Sequence, residues 1–240
     1  MHYYRHDLAF VHDSGFAFHA DRCAPGILSL LAAVHGGVVL EIGCGSGALT
    51  RHLLAAGHRV IATDASPDML SLAREALGPD ADLRRITLPD EPLPAADAVV
   101  SVGHVISYLP DAAALDRAVV AMSGALRPGG VLAFDVLDLA FGEIRPSGES
   151  SGRVTEDWAI VTRYSLPAAD RYVRDITTFV ADGHGAWRRD DERHENVLVD
   201  TSRLPGLLAE HGVEGWVRSS FGTESLQPGL RVVVGSKPVT

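Results

Sequence analysis

The stretch Val38-Val39-Leu40-Glu41-Ile42-Gly43-Cys44-Gly45-Ser46-Gly47 limits what this chain can fold into more than any other. An apolar run enters a turn with glycine at every second position. It leaves into Ala48-Leu49-Thr50-Arg51-His52-Leu53-Leu54, which has helical periodicity. Strand, glycine turn and helix form a cradle for a nucleotide cofactor. The glycines permit a sharp turn and close approach of a ligand, and the first N–H groups of the helix point at it. Alone, the turn serves two cofactor classes, because Gly43-x-Gly45-x-x-Ala48 also satisfies the dinucleotide fingerprint. An NAD-dependent oxidoreductase is therefore an alternative reading.

The rhythm around the turn gives the fold class. Gly57 caps the helix, and residues 59–63 are a β-branched strand ending at Asp64. Ser66-Pro67-Asp68-Met69 opens the next helix, with Ser66 at the N-cap and Pro67 at the first helical position. Residues 83–87, 97–102 and 131–136 are three more strands, and a helix opened by Asp111 ends at Pro128-Gly129-Gly130. The strands are near-continuous apolar runs alternating with helices, which predicts a parallel α/β sheet buried on both faces. Before it, residues 7–12 and 25–31 form short helices, the second with Pro25 in its first turn. Residues 1–35 are then an N-terminal helical arm that covers a sheet edge or closes over the cofactor with Tyr3 and Tyr4.

After Leu137 the rhythm breaks. Residues 147–152 are a Gly/Ser-rich link, and 157–166, 171–180 and 187–199 are extended strands separated by turns. They predict a small antiparallel sheet with one wet face, since 188–195 is too charged for a core strand. A helix over 201–211 and strands at 213–221 and 231–235 end the chain. The expected domains are the arm (1–35), a cofactor-binding core (36–137 and 200–240) and a β-rich lid inserted at 138–199.

Composition narrows the partners. A chain of 240 residues, 46% hydrophobic and 22% charged, can bury one substantial core with an insertion. With 21 basic and 31 acidic residues its formal charge is −10, which argues against nucleic acid and membrane surfaces as partners. Cys23 and Cys44 cannot build a disulfide framework, and no Cys/His/carboxylate spacing suggests a metal site. The opening Met1-His2-Tyr3-Tyr4-Arg5 lacks a signal pattern and no apolar run is long enough to span a bilayer, so the expectation is a cytoplasmic protein.

The pattern Glu41-x-Gly43-x-Gly45-x-Gly47 resembles motif I of the class I S-adenosylmethionine (SAM) methyltransferases. Three further segments are similar to that family: Asp64-Ala65-Ser66-Pro67-Asp68-Met69-Leu70, Gly103-His104-Val105-Ile106-Ser107-Tyr108-Leu109-Pro110, and Leu126-Arg127-Pro128-Gly129-Gly130-Val131-Leu132. The resemblance covers residues 38–137 and about 200–240. It implies a Rossmann-like sheet of strand order 3-2-1-4-5-7-6, with SAM as cofactor. It assigns SAM binding to Glu41, Gly43, Gly45, Gly47, Asp64, Ala65, Met69, Leu88, Pro89 and Gly103. Asp64 would hold the ribose hydroxyls, Met69 would pack on the adenine, and Gly103 would floor the methionine end. Family members often place an acid after strand three to hold the adenine amine. Here Thr87-Leu88-Pro89 stands in that place, leaving backbone groups or Asp90 for the task.

The implied function is methyl transfer to oxygen or nitrogen of a small molecule, a reaction of positioning and water exclusion. A hydroxyl acceptor gains from a general base, and His104 is the candidate; its alternative is a histidine hydrogen-bonded into the loop. Tyr4, Tyr108, Trp158 and Trp187 are the candidate acceptor residues. His184 and His194 read as exposed turn residues, although His194 beside Glu195 could orient a substrate. A SAM-binding regulator without catalytic activity is the non-enzyme alternative. The geometry of antiparallel strands allows a dimer.

Overall fold

The computed structural model describes residues 3–144 and 148–239. The helices α1 (His6–Phe16) and α2 (Phe18–Leu30) precede β1 (Val38–Ile42), α3 (Ala48–Ala55), β2 (Arg59–Asp64), α4 (Pro67–Leu77), β3 (Asp82–Arg85) and β4 (Ala96–Ser101). Helix α5 (Ala112–Ala125) then leads into the long strand β5 (Leu126–Leu137). Side chains set the starts of α4 and α5. Ser66 Oγ accepts from the Met69 N–H at 3.2 Å, and Asp111 Oδ1 accepts from the Ala114 N–H at 2.7 Å. Pro25 lies inside α2 rather than in its first turn. Cys23, Ala24 and Ile27 are buried against the main sheet, and that burial outweighs the hydrogen bond Pro25 cannot make.

After β5 come α6 (Leu139–Ile144), the strands β6 (Ser150–Val154), β7 (Trp158–Ala168), β8 (Arg171–Ala181) and β9 (Trp187–Val197), helix α7 (Leu204–Glu210), β10 (Glu214–Arg218) and β11 (Leu230–Ser236). The main sheet has seven strands in the order β3-β2-β1-β4-β5-β11-β10. Strands β1 to β5 are parallel and β11 runs antiparallel to β5, which is the expected 3-2-1-4-5-7-6 arrangement. Apolar clusters cover both faces, one around Leu40, Val99, Leu132 and Phe134, the other around Val39, Leu53, Val100 and Ile27.

Strands β6 to β9 form a separate antiparallel sheet. It has four strands where three were expected. Strand β6 occupies part of the expected Gly/Ser-rich link, whose first residue, Ser147, lies outside the described residues. Every residue of β6 is exposed, so it carries no apolar pattern and its pairing with β7 alone makes it a strand. Helix α1 packs on the inner face of this sheet through Leu8, Val11, Trp158, Ile160, Ile176 and Val180. Among the described residues no helix is long and apolar enough to cross a membrane.

Candidate active site

The larger of two adjoining cavities, about 640 Å³, opens beyond the carboxyl ends of β1, β2 and β4, where open α/β sheets bind ligands. Gly43, Gly45, Asp64, Ala65, Met69, Leu88 and Gly103 line it. Gly45 and Gly103 have positive φ, and a Cβ on Gly45 would find only Met69 Sδ at 3.9 Å, while one on Gly103 would meet nothing within 4 Å. Backbone is thus bare to the cavity at both places. Asp64 ties the rim together: Oδ2 accepts from the Gly45 N–H at 2.9 Å and Oδ1 from the Ser66 N–H at 2.8 Å.

Three residues expected at the cofactor do not line this cavity. Glu41 is buried beneath the turn, where its Oε2 accepts from Thr50 Oγ1 at 2.6 Å; burial pushes its carboxyl up to about 7. Gly47 opens α3 in the left-handed region, and a Cβ there would lie 2.8 Å from Leu77, so its bareness serves helix packing. Pro89 is not among the lining residues, whereas its neighbours Thr87 and Leu88 are. Asp90 also turns away, 3.7 Å from Arg117 on the surface.

The smaller cavity, about 430 Å³, lies between α1, α2 and the inner face of the four-stranded sheet. Tyr4, His12 and Gly103 line both cavities. The wall between them is the Gly103-His104 turn, held by the fully buried Asp135. Its carboxylate accepts from the Gly103 N–H at 3.0 Å and from the His104 N–H at 2.6 Å, and His19 Nε2 lies 3.3 Å away. His104 adopts φ 48°, and its ring stacks on Tyr108 with centroids 5.6 Å apart. Its backbone N–H is thus held in the loop, while its buried Nδ1 has no partner among the described residues. Burial, aided by Arg174, lowers His104 to about 3 and His12 to about 4, so both rings are neutral.

Behind the turn runs a polar network that the sequence did not reveal. Arg174 Nη2 donates to Tyr108 Oη and, at 3.3 Å, to Asn196 Oδ1, and the Tyr108 and Tyr4 hydroxyls are 2.8 Å apart. Glu192 Oε2 accepts from His194 Nε2 at 2.8 Å. His194 is fully buried and pairs with Glu192, not Glu195; it is not an exposed turn residue, whereas His184 is. The available signal was parity. Glu192, His194 and Asn196 alternate along β9 and share its inner face, while Arg189, Asp191 and Arg193 face outward and Glu195 lies at the rim of the larger cavity.

The two tryptophans expected at the acceptor are elsewhere. Trp158 is buried against Leu8, Val11 and Phe16 and lines neither cavity, because α1 sits on it: a Cβ on Gly15 would lie 2.8 Å from its ring. Trp187 is 49% exposed at the start of β9 and also lines neither. Tyr164 and Tyr172, stacked 5.9 Å apart, line the smaller cavity instead.

A family model described as a methyltransferase domain matches residues 39–130. The malonyl-[acyl-carrier protein] O-methyltransferase of Pectobacterium atrosepticum is 37% identical over 111 residues, 46% of this chain and 43% of that protein. The chain spans about half the length of the first curated relatives it matches. Over almost all of its length it shares the fold of two solved structures. One is a SAM-dependent methyltransferase from Clostridium acetobutylicum (TM-score 0.81, 18% identity, 96% of this chain and 97% of that one). The other is the sugar N-methyltransferase KedS8 from a Streptoalloteichus species (TM-score 0.80, 23% identity, 98% and 93%). Of the two cofactor classes that the glycine turn admitted, the matched domain favours SAM. The chain thus carries a methyltransferase domain over residues 39–130, set in the seven-stranded fold that it shares with SAM-dependent methyltransferases.

Proposed function

We propose that this protein transfers a methyl group from SAM to an amine nitrogen of a small molecule, with the cofactor in the larger cavity and the acceptor in the smaller. The observation that carries this reading is the shared wall: Tyr4, His12 and Gly103 belong to both cavities, so ligands filling them meet at one point. The residues of the larger cavity suit SAM. Gly45 and Gly103 offer bare backbone, Asp64 is a carboxylate acceptor for ribose hydroxyls, and Met69 and Leu88 are apolar walls. When bound, SAM supplies a methyl group already activated on a sulfonium. The chain's own contribution is alignment and exclusion of water.

Nitrogen is favoured over oxygen by the chemistry of the smaller cavity. A hydroxyl acceptor gains from a base whose pKa is near the working pH. The two imidazoles where the cavities meet, His104 at about 3 and His12 at about 4, are too weak for that; the third, His19, is set against Asp135. An amine needs only a free lone pair. Leu8, Phe16, Ile160 and Ile176 in the walls favour its uncharged form. The sugar N-methyltransferase among the similar folds supports the same choice. Incubation with methyl-labelled SAM and a panel of small amines paired with their hydroxyl analogues tests it. Label is expected in amines; label in the hydroxyl compounds alone would overturn the nitrogen assignment.

A further inference from the structure

The chain carries a net charge of −10, yet the smaller cavity has the opposite character. Its lining includes Arg22, Arg153 and Arg174 and no aspartate or glutamate. Several arginines elsewhere, among them Arg5, Arg84, Arg127, Arg188, Arg193 and Arg203, lie against a carboxylate, and Arg74 donates to backbone carbonyls on the surface. Among the described residues none of the three cavity arginines has such a partner. Arg153 donates to the Gly15 carbonyl at 2.7 Å and sits over Phe16 and Trp158, and Arg22 sits over Phe18. Arg174 is set deepest, beside Tyr108. Only its Nη2 has hydrogen-bond acceptors, both neutral, and its buried Nε has none. An interior guanidinium without a counter-charge is costly, because it has lost water and gained no anion.

Resting on the reading of the smaller cavity as the acceptor site, we infer that the acceptor carries an anionic oxygen group, a carboxylate or a phosphate, held by Arg174. The planar guanidinium suits both groups. Arg22 and Arg153, more exposed, line the same cavity and add attraction for an anion entering it. Arg174 lines only the smaller cavity, so this anion is distinct from any carboxylate of the cofactor.

The test is calorimetric titration of the intact protein, loaded with S-adenosylhomocysteine, with inorganic phosphate and separately with acetate. At least one anion is expected to bind with a Kd on the order of millimolar. Which one binds better tells phosphate from carboxylate. In Arg174→Gln that affinity should fall at least about tenfold with S-adenosylhomocysteine affinity unchanged, whereas Arg84→Gln, on the surface, should bind as the wild type does. If Arg174→Gln does not fold, Arg174→Lys, which keeps the charge without the planar fork, should weaken the same anion. Absence of binding by both anions, undiminished binding in the Arg174 variants, or parallel loss of S-adenosylhomocysteine would overturn the inference. Anion binding by a protein that fails to take S-adenosylhomocysteine would uphold the anion site and remove the methyl-transfer reading instead.

Discussion

Glu192 Oε2 accepts a hydrogen bond from the Tyr4 backbone N–H at 2.8 Å, and its Oε1 accepts from the Arg5 N–H at 2.8 Å. The inner face of β9 thereby fixes the segment that carries Tyr3 and Tyr4 into the larger cavity. Hydrogen bonds to a buried carboxylate are worth roughly 1.5–3 kcal/mol each. Glu192→Ala should therefore speed amide exchange at residues 4–8 while leaving β1 to β5 protected, and weaken SAM binding. Unchanged exchange would mean that the bond from Ser66 Oγ to the Tyr4 carbonyl, at 2.8 Å, holds the segment by itself.

Asp64→Ala removes a carboxylate from the cofactor cavity and two acceptors from its rim. Loss of a hydrogen bond to a charged acceptor, roughly 1.5–3 kcal/mol, corresponds to about tenfold to a hundredfold in affinity. Calorimetry with SAM should find a fall of that size. An unchanged Kd would place the ribose contacts on other groups.

His104→Ala should lower kcat by less than about tenfold, well short of the roughly 10²–10⁴ that a general base supplies. The same burial has a stability signature. In the folded chain His104, at about 3, and His12, at about 4, lie below the ordinary imidazole value of 6.5. As pH falls below about 6.5 the unfolded chain takes up protons that the folded chain refuses, so stability is lost toward acid. Thermal unfolding at pH 8 and pH 5 should give the lower Tm at pH 5, and His12→Ala should reduce the difference.

Glu41 acts in the opposite sense. Its folded-state value, about 7, lies above the ordinary glutamate value of 4.5. Between these limits the folded chain holds the extra proton, so its contribution is fully present below pH 4.5 and is lost as pH rises through 7. Glu41→Gln keeps an acceptor for Thr50 and carries no charge. Relative to wild type it should gain stability above pH 7, by roughly 3 kcal/mol at most. An equal ΔΔG at pH 5 and pH 8, from urea unfolding, would show that Glu41 stays ionised in the fold.

Trp158→Ala should act on stability rather than on the acceptor's KM. Truncating a buried Trp costs about 3–5 kcal/mol, here by loosening α1 from the four-stranded sheet. A raised KM with an unchanged Tm would return Trp158 to the acceptor site.

The main sheet was legible because its central strands, β1, β2, β4, β5 and β11, are largely apolar and two of its helices begin at side chains that cap them, Ser66 and Asp111. Much of the lining of the larger cavity was legible as well, through Gly45 and Gly103, whose bareness faces open space. Gly47 looked the same in sequence, yet Leu77 fills the space beside it. The smaller cavity was not legible. Its deepest polar group, Arg174, sits in β8 between apolar and exposed neighbours, and the strand behind it, β9, carries charged residues that suggested a solvated strand. Which face of such a strand turns inward depends on what packs there. That is α1 and the segment before it, more than 150 residues away in sequence.

Tyr4 and Glu192 are 188 residues apart in the chain. During synthesis the tyrosine leaves the ribosome first, and the carboxylate that fixes it comes near the other end. The core strands β1 to β5 can pair before β9 exists, since domains gain structure as they emerge. Contacts of such long range are among the slowest to form. The cradle for the cofactor can therefore take shape on a partly made chain, while the wall it shares with the second cavity is completed only once β9 is in place.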